Sequence, residues 1–201
     1  MPKVKFTKSE LKQQRDALKQ YEHFLPTLQL KKQQLQLEIR KCESKINSLL
    51  KLERQHKDKL EKWIELFSLS EIAGELPKIL SVKDIITEKQ NIAGLDVPVL
   101  KKVIFNQASY DIFLTLPSLD DAIEAVKKTV EFKIEETILR NQIDLISNEL
   151  RITSQRVNLF EKVKIPEAKD NIRNIQIYLG DEDTAAVGRS KIAKRKMTEA
   201  A

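Results

Sequence analysis

Cysteine occurs once in the 201 residues, as Cys42, so an intrachain disulfide is excluded and the usage suits a reducing cytoplasm. Glycine occurs four times, at positions 74, 94, 180 and 188. No pair of them has the spacing of a phosphate-cradling loop followed by lysine and serine or threonine. The two histidines, His23 and His56, are far apart and lack cysteine pairs, which removes the usual zinc-ligand pattern. Aromatic residues make up only 5%, so a large globular core is not expected. No apolar stretch approaches the roughly 18 residues that span a bilayer, and no signal-peptide core follows Met1, so direct membrane insertion is not expected. The many carboxylates are scattered, and no nearby histidine is placed to activate Cys42. A non-catalytic chain with no cofactor, nucleotide site or metal site is the expectation.

What the chain has in abundance is charge, 33% of its residues, interleaved with Leu and Ile at helical spacing. That is the composition of a coiled coil. Counted in sevens, Leu11, Leu18, Leu25, Ile39, Ile46, Leu60 and Phe67 share one core position. Tyr21, Leu28, Leu35, Cys42, Leu49 and Trp63 share the other, and only Gln14, Lys32, Glu53 and His56 break the two rows. A phase held for about nine heptads comes from a helix laid along a partner helix. A second stripe, Leu119 to Leu179, is long enough to be that partner. The expected fold is dominated by α-helix: a long antiparallel two-helix coiled coil, or helical hairpin, on the order of 95 Å long. Its expected segments are a first helix over 1–69, a middle segment over 70–117 with a short β-hairpin, a second helix over 118–180, and a basic flexible tail over 181–201.

Local signals refine this picture. Thr7 or Ser9 caps the first helix, with Glu10 placed to complete a capping box. Pro26 lies inside the first stripe and Pro166 inside the second, and each predicts a kink. If Leu69 pairs with Ser118 and Thr7 with Leu179, Pro26 faces the neighbourhood of Phe160 and Glu161, so both prolines fall near one level. In the middle segment, β-branched runs on either side of Ala93-Gly94 predict the hairpin, and Pro98 confines the second run to an edge. Ser118 offers a cap for the second helix, and Gly180 is expected to end it.

The formal net charge is +6, and its excess gathers at the two ends of the sequence. Lys3, Lys5, Lys8, Lys12 and Arg15 crowd one end, and Arg189, Lys191, Lys194, Arg195 and Lys196 the other. Antiparallel helices would bring both clusters to the same end. Solvated termini and a basic tip for an acidic partner or nucleic acid both remain open on charge alone. Few aromatics or glycines accompany the tip, which argues against nucleic acid as the partner.

The run Gln155-Arg156-Val157-Asn158-Leu159-Phe160-Glu161-Lys162-Val163-Lys164-Ile165-Pro166 carries a resemblance. It is similar to the Arg-Val-Asn-Ala-Leu-Glu-x-Val-x-Ile-Pro signature of the D subunit of V-type and archaeal-type rotary ATPases, departing at Leu159 and Phe160. Phe6-Thr7-Lys8-Ser9-Glu10-Leu11 resembles the family's opening, and Asn91-Ile92-Ala93-Gly94-Leu95-Asp96-Val97-Pro98 resembles its middle segment, with Asn91, Gly94, Val97 and Pro98 carrying the match. The inserted Pro26 and the Gly180-Asp181-Glu182 ending look like a divergent bacterial branch, most like the chlamydial type.

The resemblance implies a central-stalk rotor axle that couples ATP hydrolysis or synthesis to ion translocation. Its implied partners are the catalytic hexamer of A and B subunits, the F subunit, and a socket subunit above the membrane ring. It implies a cytoplasmic chain, peripheral on the inner face of the cell membrane. Residues implied to face the stator are Lys8, Lys12, Arg15, Arg156, Asn158 and Glu161. A generic coiled-coil scaffold or tether is the alternative, and it leaves the three ordered motifs unexplained.

Overall fold

The computed structural model describes residues 5–61, 79–108 and 119–199. Their elements are helix α1 (Lys8–Glu61), strands β1 (Leu80–Ile92) and β2 (Leu95–Gln107), helix α2 (Leu119–Leu159), a π-helical turn (Phe160–Lys164) and helix α3 (Ile165–Glu199). The expected class, two stretches of long helix with a two-stranded antiparallel sheet between them in sequence, is what forms. The chain divides into two compact units, one from residues 1–32 with 152–201 and the other from residues 33–151. Trp63, Phe67, Gly74 and Ser118 lie outside the described residues.

Thr7 begins α1 because its Oγ1 accepts the Glu10 N–H at 3.2 Å, satisfying a donor that the first helical turn leaves unpaired. The Glu10 carboxylate accepts the Gln14 amide instead of reaching back to the cap, so only half of a capping box appears among the bonds found. Along α1 from Leu11 to Leu60, every position of the two heptad rows is buried or half-buried, including the interrupting Gln14, Lys32, Glu53 and His56.

In the unit of residues 33–151, α1 and α2 run antiparallel: Cys42 meets Gln142, and His56 meets the backbone carbonyl of Ala125. Three apolar clusters hold this unit. Ile46, Leu49 and Leu139 close the helix pair, with Phe132 packed beside them. Leu35, Cys42, Val97 and Ile146 join the helices to the tip of the hairpin. Ile79, Leu119, Ala122 and Ile123 join its base to the start of α2. A fully buried Leu or Ile side chain here contributes about 1.5–3 kcal/mol relative to exposure.

The hairpin is longer than expected, with 13 residues in each strand. Pairing runs from Leu80 with Gln107 to Ile92 with Leu95, and register shifts fall at Val82/Asp84 and Ile86/Thr87. Lys83 is the extra residue of the first and Lys101 of the second, one bulge on each strand. At the turn, Ala93 and Gly94 both have positive φ, 50° and 82°. That is the sense of a type I′ turn, whose twist matches a two-residue hairpin and favours glycine at the second position.

In the unit of residues 1–32 with 152–201, α1 again runs antiparallel to its partner. The Phe6 ring lies 5.1 Å from that of Tyr178, and Tyr21 lies 5.2 Å from Phe160. Val157, Ala168 and Ile175 are buried, as is Thr153. The expected end at Gly180 does not occur: α3 passes through Gly180 and Gly188 and continues to Glu199. An exposed glycine inside a helix costs only about 1 kcal/mol, and the alanine- and lysine-rich residues after it are good helix formers. The Thr184 hydroxyl donates to the Gly180 carbonyl, and helix replaces the flexible tail expected over this stretch.

Candidate functional site

The three motif segments each form a piece of structural punctuation. Within the opening segment, Thr7 caps α1, while Phe6 stacks on Tyr178. Within the middle segment, Asn91 secures the hairpin turn: its Oδ1 accepts the Gly94 N–H at 3.1 Å, and its Nδ2 donates to Asp96 at 2.6 Å. Val97 is fully buried, and the Pro98 carbonyl accepts the Gln142 amide.

The third segment, Gln155 to Pro166, forms the junction between α2 and α3. Pro166 has no N–H, and in a regular α-helix its ring would press on the carbonyl of Lys162. Instead the helix widens over Phe160–Lys164, where the Ile165 N–H reaches the Phe160 carbonyl in an i to i+5 bond. A π turn of this kind relieves the clash without ending the helix. Tyr21 packs on Phe160, and Glu22 pairs with Lys169 at 3.4 Å, so the π turn sits about one turn of α1 before Pro26. Pro26 itself lies inside an unbroken α1, and the Thr27 hydroxyl donates to the Phe24 carbonyl beside it.

Among the residues with proposed stator contacts, Lys8, Lys12, Arg15, Arg156, Asn158 and Glu161 are all exposed and all in the same unit. They do not form one patch. Arg156 to Glu161 lie near the level of Tyr21, whereas Lys8 to Arg15 lie roughly 10–20 Å further along α1 toward its start. Leu159 and Val163 are exposed apolar residues at the π turn. Of the two seam rows, Leu11, Leu18, Leu25, Leu28, Ile39 and Leu60 are half-buried, and Leu35, Cys42, Ile46 and Leu49 are buried.

Two polar clusters in the other unit were not singled out as sites from the sequence. Gln142 is buried on α2, accepts the Cys42 thiol proton at Oε1 across 3.5 Å, and donates from Nε2 to Pro98. Burial raises the Cys42 pKa, so the thiol stays protonated as a donor and is a poor nucleophile. The available signal was a polar residue in a row with Leu139 and Ile146, both buried. In the second cluster, buried Glu53 receives Lys57 at 3.0 Å and Lys133, from α2, at 3.2 Å. The ammonium groups of Lys57 and then Lys133 beside it hold its carboxyl below the usual range. Lys133 also meets Glu136, which Arg140 grips at 2.7 Å. No cluster of His, Cys, Asp and Glu suited to a metal ion is found among the described residues.

Among the described residues no nucleophile is placed beside a base, and the motif segments form a helix cap, a hairpin turn and a helix junction. The same residues align with known proteins. Residues 10–195 match the family described as the ATP synthase D subunit. The chain belongs to that family. The V-type ATP synthase D subunit of Borreliella burgdorferi is 46% identical over 198 residues, covering 98% of this chain and 96% of that protein. The V-type ATP synthase D subunits of Chlamydia trachomatis and Chlamydia muridarum are 33% and 32% identical over 196 residues, covering 98% of this chain and 97% of each. Identity to the Borreliella protein thus exceeds identity to these two chlamydial proteins. No helix among the described residues is long and apolar enough to cross a membrane.

Proposed function

We propose that this chain is the central-stalk axle of a V-type rotary ATPase, itself non-catalytic, coupling ATP hydrolysis or synthesis to ion translocation. Near-full-length family membership together with antiparallel helix pairing in each unit supports this reading. In it, the unit of residues 1–32 with 152–201 enters the hexamer of A and B subunits, while the hairpin-bearing unit meets the F subunit and the socket subunit. The complex holds the chain at the inner face of the cell membrane without inserting it. An axle with chemically different sides offers each catalytic interface a different contact as it turns. Differential contact free energy then biases their nucleotide affinities.

Capture of the tagged full-length protein from its native membranes at low salt tests the assignment. Recovery of the A, B and F subunits with ATP-hydrolysing activity is the expected result; capture of an ATPase-free set of partners overturns it. A second measurement concerns the exposed bases Lys8, Lys12 and Arg15, which we assign to centring the axle through salt-screened attraction to acidic stator groups. Replacing all three by Glu is expected to lower ATP-driven ion pumping severalfold at unchanged helical content. Unchanged pumping rules out that role.

A further inference from the structure

Three elements meet at one side chain in the unit of residues 33–151. Gln142 on α2 accepts from the Cys42 thiol on α1 and donates to the Pro98 carbonyl on β2. The hairpin is seated at two separate places. Its base rests on Leu119, Ala122 and Ile123 through Ile79 and Leu80, while its tip inserts Val97 beside Leu35, Cys42 and Ile146. The hairpin residues Gln90, Ile92, Val99 and Leu100 roof a cleft of about 620 Å³, which Cys42, Leu49, Phe132, Leu139 and Gln142 line from the helices. Strand β1 is exposed from Ser81 to Asn91. Val103 is buried midway along β2, but the apolar clusters at base and tip share no residue, so each attachment opens with its own free energy.

We propose that the hairpin tip is a strap that opens and closes on the two helices independently of its base, with Gln142 as the positioning residue that fastens it. Opening replaces the Gln142–Pro98 bond by water, withdraws Val97, and exposes Cys42 to solvent. The buried thiol, 4% exposed when the strap is closed, thereby reports the state of the tip. A polar anchor suits a reversible fastening: the Pro98 carbonyl and the Gln142 amide rehydrate on opening and re-form one directed bond on closing.

The experiment pulse-labels the thiol of the full-length protein with a small neutral maleimide and follows backbone amide exchange in parallel. In the wild type, opening at Cys42 is expected without loss of protection at the amides of Val97 and Val99, which pair with Gln90 and Glu88 on β1. It is expected to be easier than opening at Leu139 and Ile146. In Gln142→Met, labelling is expected to accelerate about tenfold, the scale of losing the buried anchor. Amides at the hairpin base and in the helices should keep their protection. Leu119→Ala, at the base, should leave thiol labelling within about twofold of wild type. Labelling unchanged in Gln142→Met, or accelerated equally by Leu119→Ala, overturns the strap. So does a wild-type thiol that opens only with the amides of Leu139 and Ile146, a measurement that needs no variant to fold.

Discussion

The two units use the same helix α1 and stabilise it in different ways. In residues 33–151 a hairpin covers part of the helix pair, so Leu35, Val97 and Ile146 are completely buried and the seam admits a glutamine, a thiol and a carboxylate. Along residues 1–32 with 152–201 the secondary structure is helical only, and the contacts include tilted aromatic pairs, Phe6 with Tyr178 and Tyr21 with Phe160. Two helices alone bury only the rows that face each other. Phe24, Leu30, Leu159, Val163 and Ile177 stay exposed in that unit, as Leu37, Leu52 and Leu145 do on the outward helix faces of the other. The third layer supplies one partner of Gln142, the Pro98 carbonyl, whereas Glu53 draws both of its partners from the two helices. Where that layer is missing, irregularity takes another form, the π turn and Pro26.

The largest test of this contrast truncates one fully buried isoleucine in each unit. Ile146→Ala, enclosed by α1, α2 and β2, is expected to destabilise by about 3–5 kcal/mol, because its surroundings cannot collapse into the cavity. Ile175→Ala, on α3, should cost about 2–3 kcal/mol, because a bare helix pair relaxes inward more easily. Urea unfolding followed by circular dichroism measures both, and equal losses would erase the distinction.

A smaller effect, of opposite sign, is expected at Gly180. A Cβ there meets nothing within 4 Å, so Gly180→Ala should stabilise α3 by about 1 kcal/mol. Slower amide exchange from residues 176 to 190 is the readout; unchanged exchange would mean that this stretch is not helical in solution. In the hairpin unit, Ala93→Asn should stabilise by about 0.5–1 kcal/mol, since asparagine tolerates the positive φ that strains alanine. A lower melting temperature for that variant would count against the turn geometry.

The smallest effect concerns pH. The carboxyls of Glu53 and Glu136 are held below their ordinary value, Glu53 chiefly by Lys57 and Glu136 chiefly by Arg140. A lowered folded-state pKa contributes stability that is present above the unfolded value, about 4.3, and is lost as pH falls through the folded value. Exposed Lys57 and Lys133 limit the Glu53 contribution to below about 1 kcal/mol. Thermal melts of the wild type should therefore drop below about pH 4.3 more steeply than those of Glu53→Gln, and parallel curves would remove Glu53 from the account.

Much of this architecture was legible in the residues themselves. Heptad spacing from Leu11 to Leu60 announced a paired helix, and β-branched runs about Ala93-Gly94 announced a hairpin. These signals are local, because side-chain period and turn chemistry act over a few residues. The hairpin's full length was less legible, since Lys83, Asp84, Lys101 and Lys102 dilute the alternation and the two bulges shift it. Gly180 misled because its local preference for a helix end is weak beside the helix formers that follow it.

Periodicity, capping and proline position, together with the family motifs, were determined by the sequence alone. Only the tertiary structure decided what the exceptions do. Gln142 gains its meaning from Cys42 and Pro98, distant in sequence, and Glu53 from Lys133 on the opposing helix. A buried polar group is tolerated only by partners that folding brings to it, and no local pattern encodes who those partners will be.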